Sequence, residues 1–246
     1  MSTQRTGSGA RGDDGAVAGR EPAGDVAAAR LTVPGAELAQ RLRLMVLTRP
    51  RPACGRPLIE VVEACLAAGA TAIQLRDKEA GSAELLAMAR ELAPAVRAGG
   101  GLFLVNDRLD VALLAGADGV HLGPDDLPIE AARAVAPPGF LVGFSTDDPR
   151  TGRRAAAAGA DYLGIGAVYG TASKPEAAGE AIGPDRVEEV LAASGIPGVG
   201  IGGIMAANAG AVAAAGAGIA VLSAVMDAQD PPVAVQALLA ATKRGG

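Results

Sequence analysis

Residues 198–225 read GVGIGGIMAANAGAVAAAGAGIAVLSAV, and no Asp, Glu, Lys or Arg occurs between Glu189 and Asp227. That length would suffice to cross a bilayer. However, Gly198, Gly200, Gly202, Gly203, Gly210, Gly216 and Gly218, with Pro197 and Asn208, break it into short pieces. It reads instead as two buried strands, 199–201 and 219–222, with a buried helix over 207–214 between them. A strand without a polar face is covered on both sides, as parallel strands joined by crossover helices are.

Outward from this unit the same spelling repeats from Leu42 onward. Apolar runs at 44–47, 71–75, 102–105, 119–122, 140–142 and 162–165 each precede Ala/Leu/Glu/Arg segments of helical period. Those segments lie near 57–68, 82–97, 109–114, 128–135, 150–158, 184–193 and 231–242. The triplet Ala-Gly-Ala recurs ahead of strands at 68–70, 115–117, 158–160 and 215–217, placing a glycine where each helix must stop. Eight units in about 205 residues predict an α/β fold, a (β/α)₈ TIM barrel at the short end of its size range. An open doubly wound sheet would carry a Gly-rich first turn, whereas Thr48-Arg49-Pro50 follows the first run. Residues 1–37 are Gly, Ala, Arg, Asp and Ser with little bulky apolar content, so a disordered N-terminal extension is expected there. The barrel domain is expected over 38–246.

Half of the residues are hydrophobic but only 2% are aromatic, and the formal net charge is −5. An acidic chain without stacking platforms argues against nucleic acid, and the glycines argue against a membrane. Cys54 and Cys65, the only two cysteines, are unclustered and read as reduced thiols of a cytoplasmic protein. The 207–214 helix is uncharged on every side, so its outer face is expected to be covered. A contact between copies of the chain, a homo-oligomer, is one way to cover it.

Chemistry gathers at the strand ends, where barrel enzymes act. The chain has three lysines, and two lie in such places: Lys78 in Gln74-Leu75-Arg76-Asp77-Lys78 and Lys174 in Thr171-Ala172-Ser173-Lys174. An ammonium suits phosphate oxygens as a point charge. Gln74, Arg76 and Lys78 share a side if the strand persists, although a run of charges is also what a solvated loop carries. Asn106-Asp107 follows the third run, and Asp125-Asp126 follows the fourth. Either pair is also a good helix cap. Neighbouring strand ends would aim Asp107 and Asp126 at one point, and Mg²⁺ typically takes one or two carboxylates plus water and substrate phosphate oxygens. His121, the single histidine, reads as a packed structural residue. Ser145 and Thr146 end the fifth run. Gly202-Gly203 and Leu222-Ser223 end the seventh and eighth, the recurrent phosphate site of barrels. Two phosphate sites, one assisted by metal and one made of backbone, point to two phosphorylated small-molecule substrates, one a diphosphate.

These motifs, in this order, resemble the thiamine-phosphate synthase family: QLRDK, NDR, ADGVHLGPDD, GFS, DYLGIGAVYGTASK, and IGGI with VLSA. The resemblance runs from about Leu42 to the end. It implies a (β/α)₈ barrel that joins 4-amino-2-methyl-5-(diphosphooxymethyl)pyrimidine to 4-methyl-5-(2-phosphooxyethyl)thiazole and releases diphosphate. It further implies that Gln74, Leu75, Arg76, Asp77, Lys78 and Asn106 hold the pyrimidine diphosphate, and that Asp107 and Asp126 bind Mg²⁺. Ser145 and Lys174 would complete the diphosphate site. Thr171, Ala172, Ser173, Gly203, Leu222 and Ser223 would hold the thiazole phosphate. Catalysis, in this picture, lies with Arg76, Lys78, Ser145 and Lys174, which neutralise a leaving diphosphate as a pyrimidine carbocation forms. Pro124 stands where a Gln is common, and the segment 216–219 is one residue shorter than the frequent GADG form. That shortening bears on Leu222 and Ser223.

Two other readings compete. A thiazole tautomerase, a barrel of the same kind, would isomerise one phosphorylated ring and need no diphosphate set. A non-catalytic thiamine-phosphate binder would keep the glycine loops and lose the carboxylates. This chain keeps Arg76, Lys78, Asn106, Asp107, Asp126 and Lys174 together with the glycines.

Overall fold

In a computed structural model, residues 35–170 and 181–243 are described. Eight parallel strands close into one barrel in chain order. They are β1 (Leu44–Leu47), β2 (Ala72–Leu75), β3 (Leu102–Asn106), β4 (Gly119–Leu122), β5 (Leu141–Ser145), β6 (Tyr162–Ile165), β7 (Gly198–Ile201) and β8 (Gly218–Val221). The circle shuts where Met45 of β1 pairs with Ala220 of β8. The expected TIM barrel is therefore the fold.

Helices α2 (Leu58–Ala67), α3 (Ser82–Ala98), α4 (Leu109–Ala115), α5 (Ile129–Val135), α6 (Pro149–Ala158), α7 (Gly183–Ser194) and α8 (Ala209–Ala214) alternate with the strands, and α10 (Pro231–Thr242) closes the ring. Their apolar faces and the outward strand residues form the larger core, Val61, Val62, Leu92, Val120, Val142 and Val190 among them. The four Ala-Gly-Ala triplets do what their spelling predicts. Gly69, Gly116, Gly159 and Gly216 all have positive φ, from 66° to 110°, a region open to glycine at little cost.

Two short helices lie outside the repeating pattern. The first, α1 (Gly35–Arg41), takes up 35–37 of the expected extension; the rest of 1–37 lies outside the described residues. Its Leu38, with Leu42 behind it, packs onto the inner cluster of Met45, Leu102, Leu104 and Tyr162. The second, α9 (Ser223–Met226), follows β8 directly. Helix α8 buries Ala209 and Val212 but leaves Ala211 and Ala214 exposed, so the described residues do not supply the expected cover. Among the described residues no helix is long and apolar enough to cross a membrane.

The N-terminal ends of the strands are clasped by one recurring device. Thr71 Oγ1, Asp118 and Asp161 each precede an even-numbered strand and accept the backbone N–H of Leu44, Phe103 and Val142, at 3.0, 2.8 and 2.7 Å. Asp161 also pairs with Arg133, both side chains being mostly buried, and Arg133 donates to the carbonyls of Gly159 and Phe140. Conservation of geometry at this end serves stability. Asp161→Ala strands both a guanidinium and an amide, so it should lower unfolding free energy by about 3 kcal/mol. Urea unfolding would measure this, and a loss under about 1 kcal/mol would contradict the role.

Candidate active site

The polar residues fall at the opposite, C-terminal end of the barrel, and strand parity decides which of them face inward. On β2, Gln74 points into the barrel and is 3% exposed, whereas Leu75 points out into the helix-side core. Leu75 therefore offers only backbone to any ligand. The strand ends at Leu75, so the expected shared side of Gln74, Arg76 and Lys78 does not continue as strand. Arg76 is instead fixed by its N–H, which donates to Thr48 Oγ1 at 3.0 Å. Thr48 is 1% exposed and itself donates its N–H to Gln74 O, a brace the sequence reading missed. The Arg76 side chain leans over the barrel mouth. Its Nε is buried and has no hydrogen-bond partner among the described residues, an expensive arrangement for a charged donor unless a ligand completes it. Asp77 turns back to accept the N–H groups of Glu79 and Ala80 and so shapes the loop, and Lys78 is exposed.

At the end of β3, Asn106 faces inward beside Gln74 and His121. Asp107 follows with φ 62°, the one non-glycine among the described residues with positive φ. Its N–H donates to His121 O across to β4. A left-handed aspartate is held by its surroundings at some cost, which is common where a side chain must be aimed. The capping alternative does not hold: Arg108 occupies the N-cap of α4 and no side chain caps it. Nor does Asp126 cap α5, whose N-cap is Pro128; its carboxylate accepts the Gly123 N–H at 2.6 Å. Asp107 and Asp126 thus sit on neighbouring strand exits, Asn106 and His121 being register partners. Carboxylates on two neighbouring loops are the kind of donor a magnesium ion takes when its other ligands are water and substrate. Among the described residues no three His, Cys, Asp or Glu side chains form a closed metal cage.

Ser145 closes β5 on the inner side, and its Oγ lies 2.8 Å from His121 Nε2. Across the mouth, Gly202 and Gly203 have φ of 100° and 64°. A Cβ on Gly203 would lie 2.5 Å from Gly170 O, and one on Gly202 would lie 2.7 Å from Ala167 Cβ. What forces glycine here is the left-handed backbone and the packing of the 166–170 loop, not the approach of a ligand alone. Tyr169 seals that packing by donating to Asn208 O at 3.1 Å. Leu222 lines the cavity as the N-cap of α9 and Ser223 opens it. Thr171, Ala172, Ser173 and Lys174 lie outside the described residues.

The inward-facing residues among these border a cleft in two parts, whose lining includes none of Lys78, Asp107 and Asp126. The outer part, about 730 Å³ and open to solvent, runs from Arg76 and Ser145 to Gly202, Gly203, Leu222 and Ser223. The inner part, about 360 Å³, adds Gln74, Asn106 and His121. Arg76 and Ser145 line both. Arg76 contributes a cation and Ser145 a hydroxyl to the shared wall. Neither thiol lines the cleft: burial pushes Cys65 up to about 12, and Cys54 sits with it at the α2 edge.

The profile of a family described as thiamine monophosphate synthase matches residues 44–225. The chain belongs to the thiamine-phosphate synthase family. A thiamine-phosphate synthase of Coprothermobacter proteolyticus is 45% identical over 203 residues, covering 82% of this chain and 95% of the relative. One from Natronomonas pharaonis is 45% identical over 205 residues, covering 82% and 95%. Among solved structures, the thiamine phosphate pyrophosphorylase of Pyrococcus furiosus superposes with a TM-score of 0.77 at 40% identity, covering 85% of this chain and 98% of that one. A 3-hexulose-6-phosphate synthase, at 20% identity and a TM-score of 0.60 over 81% of this chain and 99% of its own, shares the fold alone. The resemblance drawn from the motifs is thus the family found.

Proposed function

We propose that this chain joins a pyrimidine methyl diphosphate to a thiazole ethyl phosphate, forming thiamine phosphate and diphosphate. What supports this reading is the cleft that Arg76 and Ser145 share with Gln74 and Asn106 on one side and with the Gly202–Gly203 and Leu222–Ser223 loops on the other. In the reaction the bond from the pyrimidine methylene carbon to the bridging oxygen breaks, its electron pair leaving with diphosphate. The thiazole nitrogen lone pair then forms the new C–N bond. No proton need be removed by the protein, in keeping with a cleft lined by neither thiol.

The work of the side chains is to bind, orient and neutralise. Arg76, Lys78 and Lys174 would meet the negative charge that grows on the leaving group, and Ser145 would donate one hydrogen bond to it. Gln74 and Asn106 would hold the pyrimidine in the inner part. The Gly203, Leu222 and Ser223 end would take the thiazole phosphate, setting the two rings face to face. Asp107 and Asp126 would hold Mg²⁺, which when bound supplies further charge neutralisation at the diphosphate.

The test is incubation of the protein with both phosphorylated rings and Mg²⁺, with thiamine phosphate and diphosphate followed together. Equal amounts of both, and neither when one ring is withheld, are expected. Isomerisation of the thiazole phosphate alone, without joining, would favour the tautomerase reading.

A further inference from the structure

His121 is more than packed. Its Nδ1 lies 2.9 Å from Tyr162 Oη and its Nε2 lies 2.8 Å from Ser145 Oγ. Gln74 lines the same inner cavity, where its Nε2 donates to Met45 Sδ at 3.5 Å. Three side chains from β6, β4 and β5 thus form one line through the barrel, ending at the cleft. The barrel is shaped around it. A Cβ on Gly143 would lie 2.5 Å from His121 Nδ1, and one on Gly164 would lie 2.8 Å from His121 Cε1. Both inward positions must be empty for the two rings to fit.

The chain has a direction. Tyr162 is fully buried, and a buried hydroxyl left without an acceptor is costly. Among the described residues, the acceptor at hydrogen-bond distance from its oxygen is His121 Nδ1, at 2.9 Å. The neutral phenol has one proton to give, and His121 Nδ1 takes it. A neutral imidazole that accepts at Nδ1 carries its proton on Nε2. That proton goes to Ser145 Oγ, so the serine's own O–H turns toward the cleft. The opposite tautomer would take the serine proton and present only lone pairs to an anion.

We propose that Tyr162 and His121 form a one-way hydrogen-bond chain that holds His121 as the Nε2–H tautomer and aims the Ser145 hydroxyl proton into the cleft. Tyr162 and His121 are positioning residues that act through Ser145. The functional consequence rests on the reading that Ser145 contacts the leaving diphosphate; the tautomer does not.

His121 is the only histidine, so a long-range ¹⁵N–¹H spectrum of the untagged full chain contains a single imidazole. A pyridine-type Nδ1 and a pyrrole-type Nε2 are expected without any substrate. The reverse pattern, or an averaged pair, would overturn the proposal. In the joining assay, Tyr162→Phe should lower kcat about tenfold, the size of one lost hydrogen bond. It should lower it no further in a Ser145→Ala background. An equal loss in both backgrounds would mean that Tyr162 acts through packing, contradicting the relay. Should the wild-type protein join no rings, the proposed function falls, and the spectrum still decides the tautomer.

Discussion

Asp107→Asn is expected to slow thiamine-phosphate formation by about 10²–10³, the usual loss for a missing charge stabiliser in a preorganised site. Asparagine is the informative replacement because Asp107 has a φ of 62°, which Asn tolerates far better than Ala. The amide keeps its bond to His121 O, so the strand exit keeps its shape and only the carboxylate charge is lost. If that charge holds Mg²⁺ together with Asp126, the variant should also need more Mg²⁺ to reach its own maximal rate. Steady-state rates across a Mg²⁺ series, with a thermal melt as the control for folding, measure both. A variant with normal turnover and an unchanged Mg²⁺ requirement would remove Asp107 from the site.

Arg76→Met should be as damaging to turnover, again about 10²–10³, and should leave stability unharmed. The reason is the buried Nε, without a partner among the described residues. A structural arginine spends its donors on the protein, as Arg133 does with Asp161 and two carbonyls. Arg76 withholds one, at a cost a ligand would relieve. Methionine fills similar space without a buried unsatisfied donor, so its melting temperature should equal or exceed the wild type's. Diphosphate should raise the melting temperature of the wild type more than that of the variant. A marked drop in stability with preserved turnover would make Arg76 a scaffold residue.

How far this could be read from the chain depends on the kind of signal each element carries. The barrel was legible because β1, β7 and β8 are continuous apolar runs and because Gly69, Gly116, Gly159 and Gly216 need a left-handed backbone that few other residues accept. Helix α1 was not, since a seven-residue segment with Leu38 as its one buried side chain has no period to detect. Boundaries drifted for the same reason: α8 begins at Ala209 instead of 207, and β8 spans Gly218–Val221 instead of 219–222. Within the site, strand-end position places Gln74, Asn106, Ser145 and Gly203 around the cleft. It did not reveal that the Leu75 side chain turns outward on β2, or that Asp77 accepts from its own loop. His121 looked like core because a lone buried histidine usually is. Its partners Tyr162 and Ser145 are 41 and 24 residues away, and only closure of the barrel brings them together. The empty positions Gly143 and Gly164, facing inward at the same level, were the trace of that ring pair in the sequence.

A crystal structure with inorganic diphosphate and Mg²⁺ bound bears most directly on whether these groups converge. One metal ion bonded to the carboxylates of Asp107 and Asp126, its remaining ligands drawn from diphosphate and water, with Arg76 and Ser145 against the same diphosphate, is the expected result. Diphosphate bound elsewhere on the barrel, or a metal that touches neither carboxylate, would contradict it.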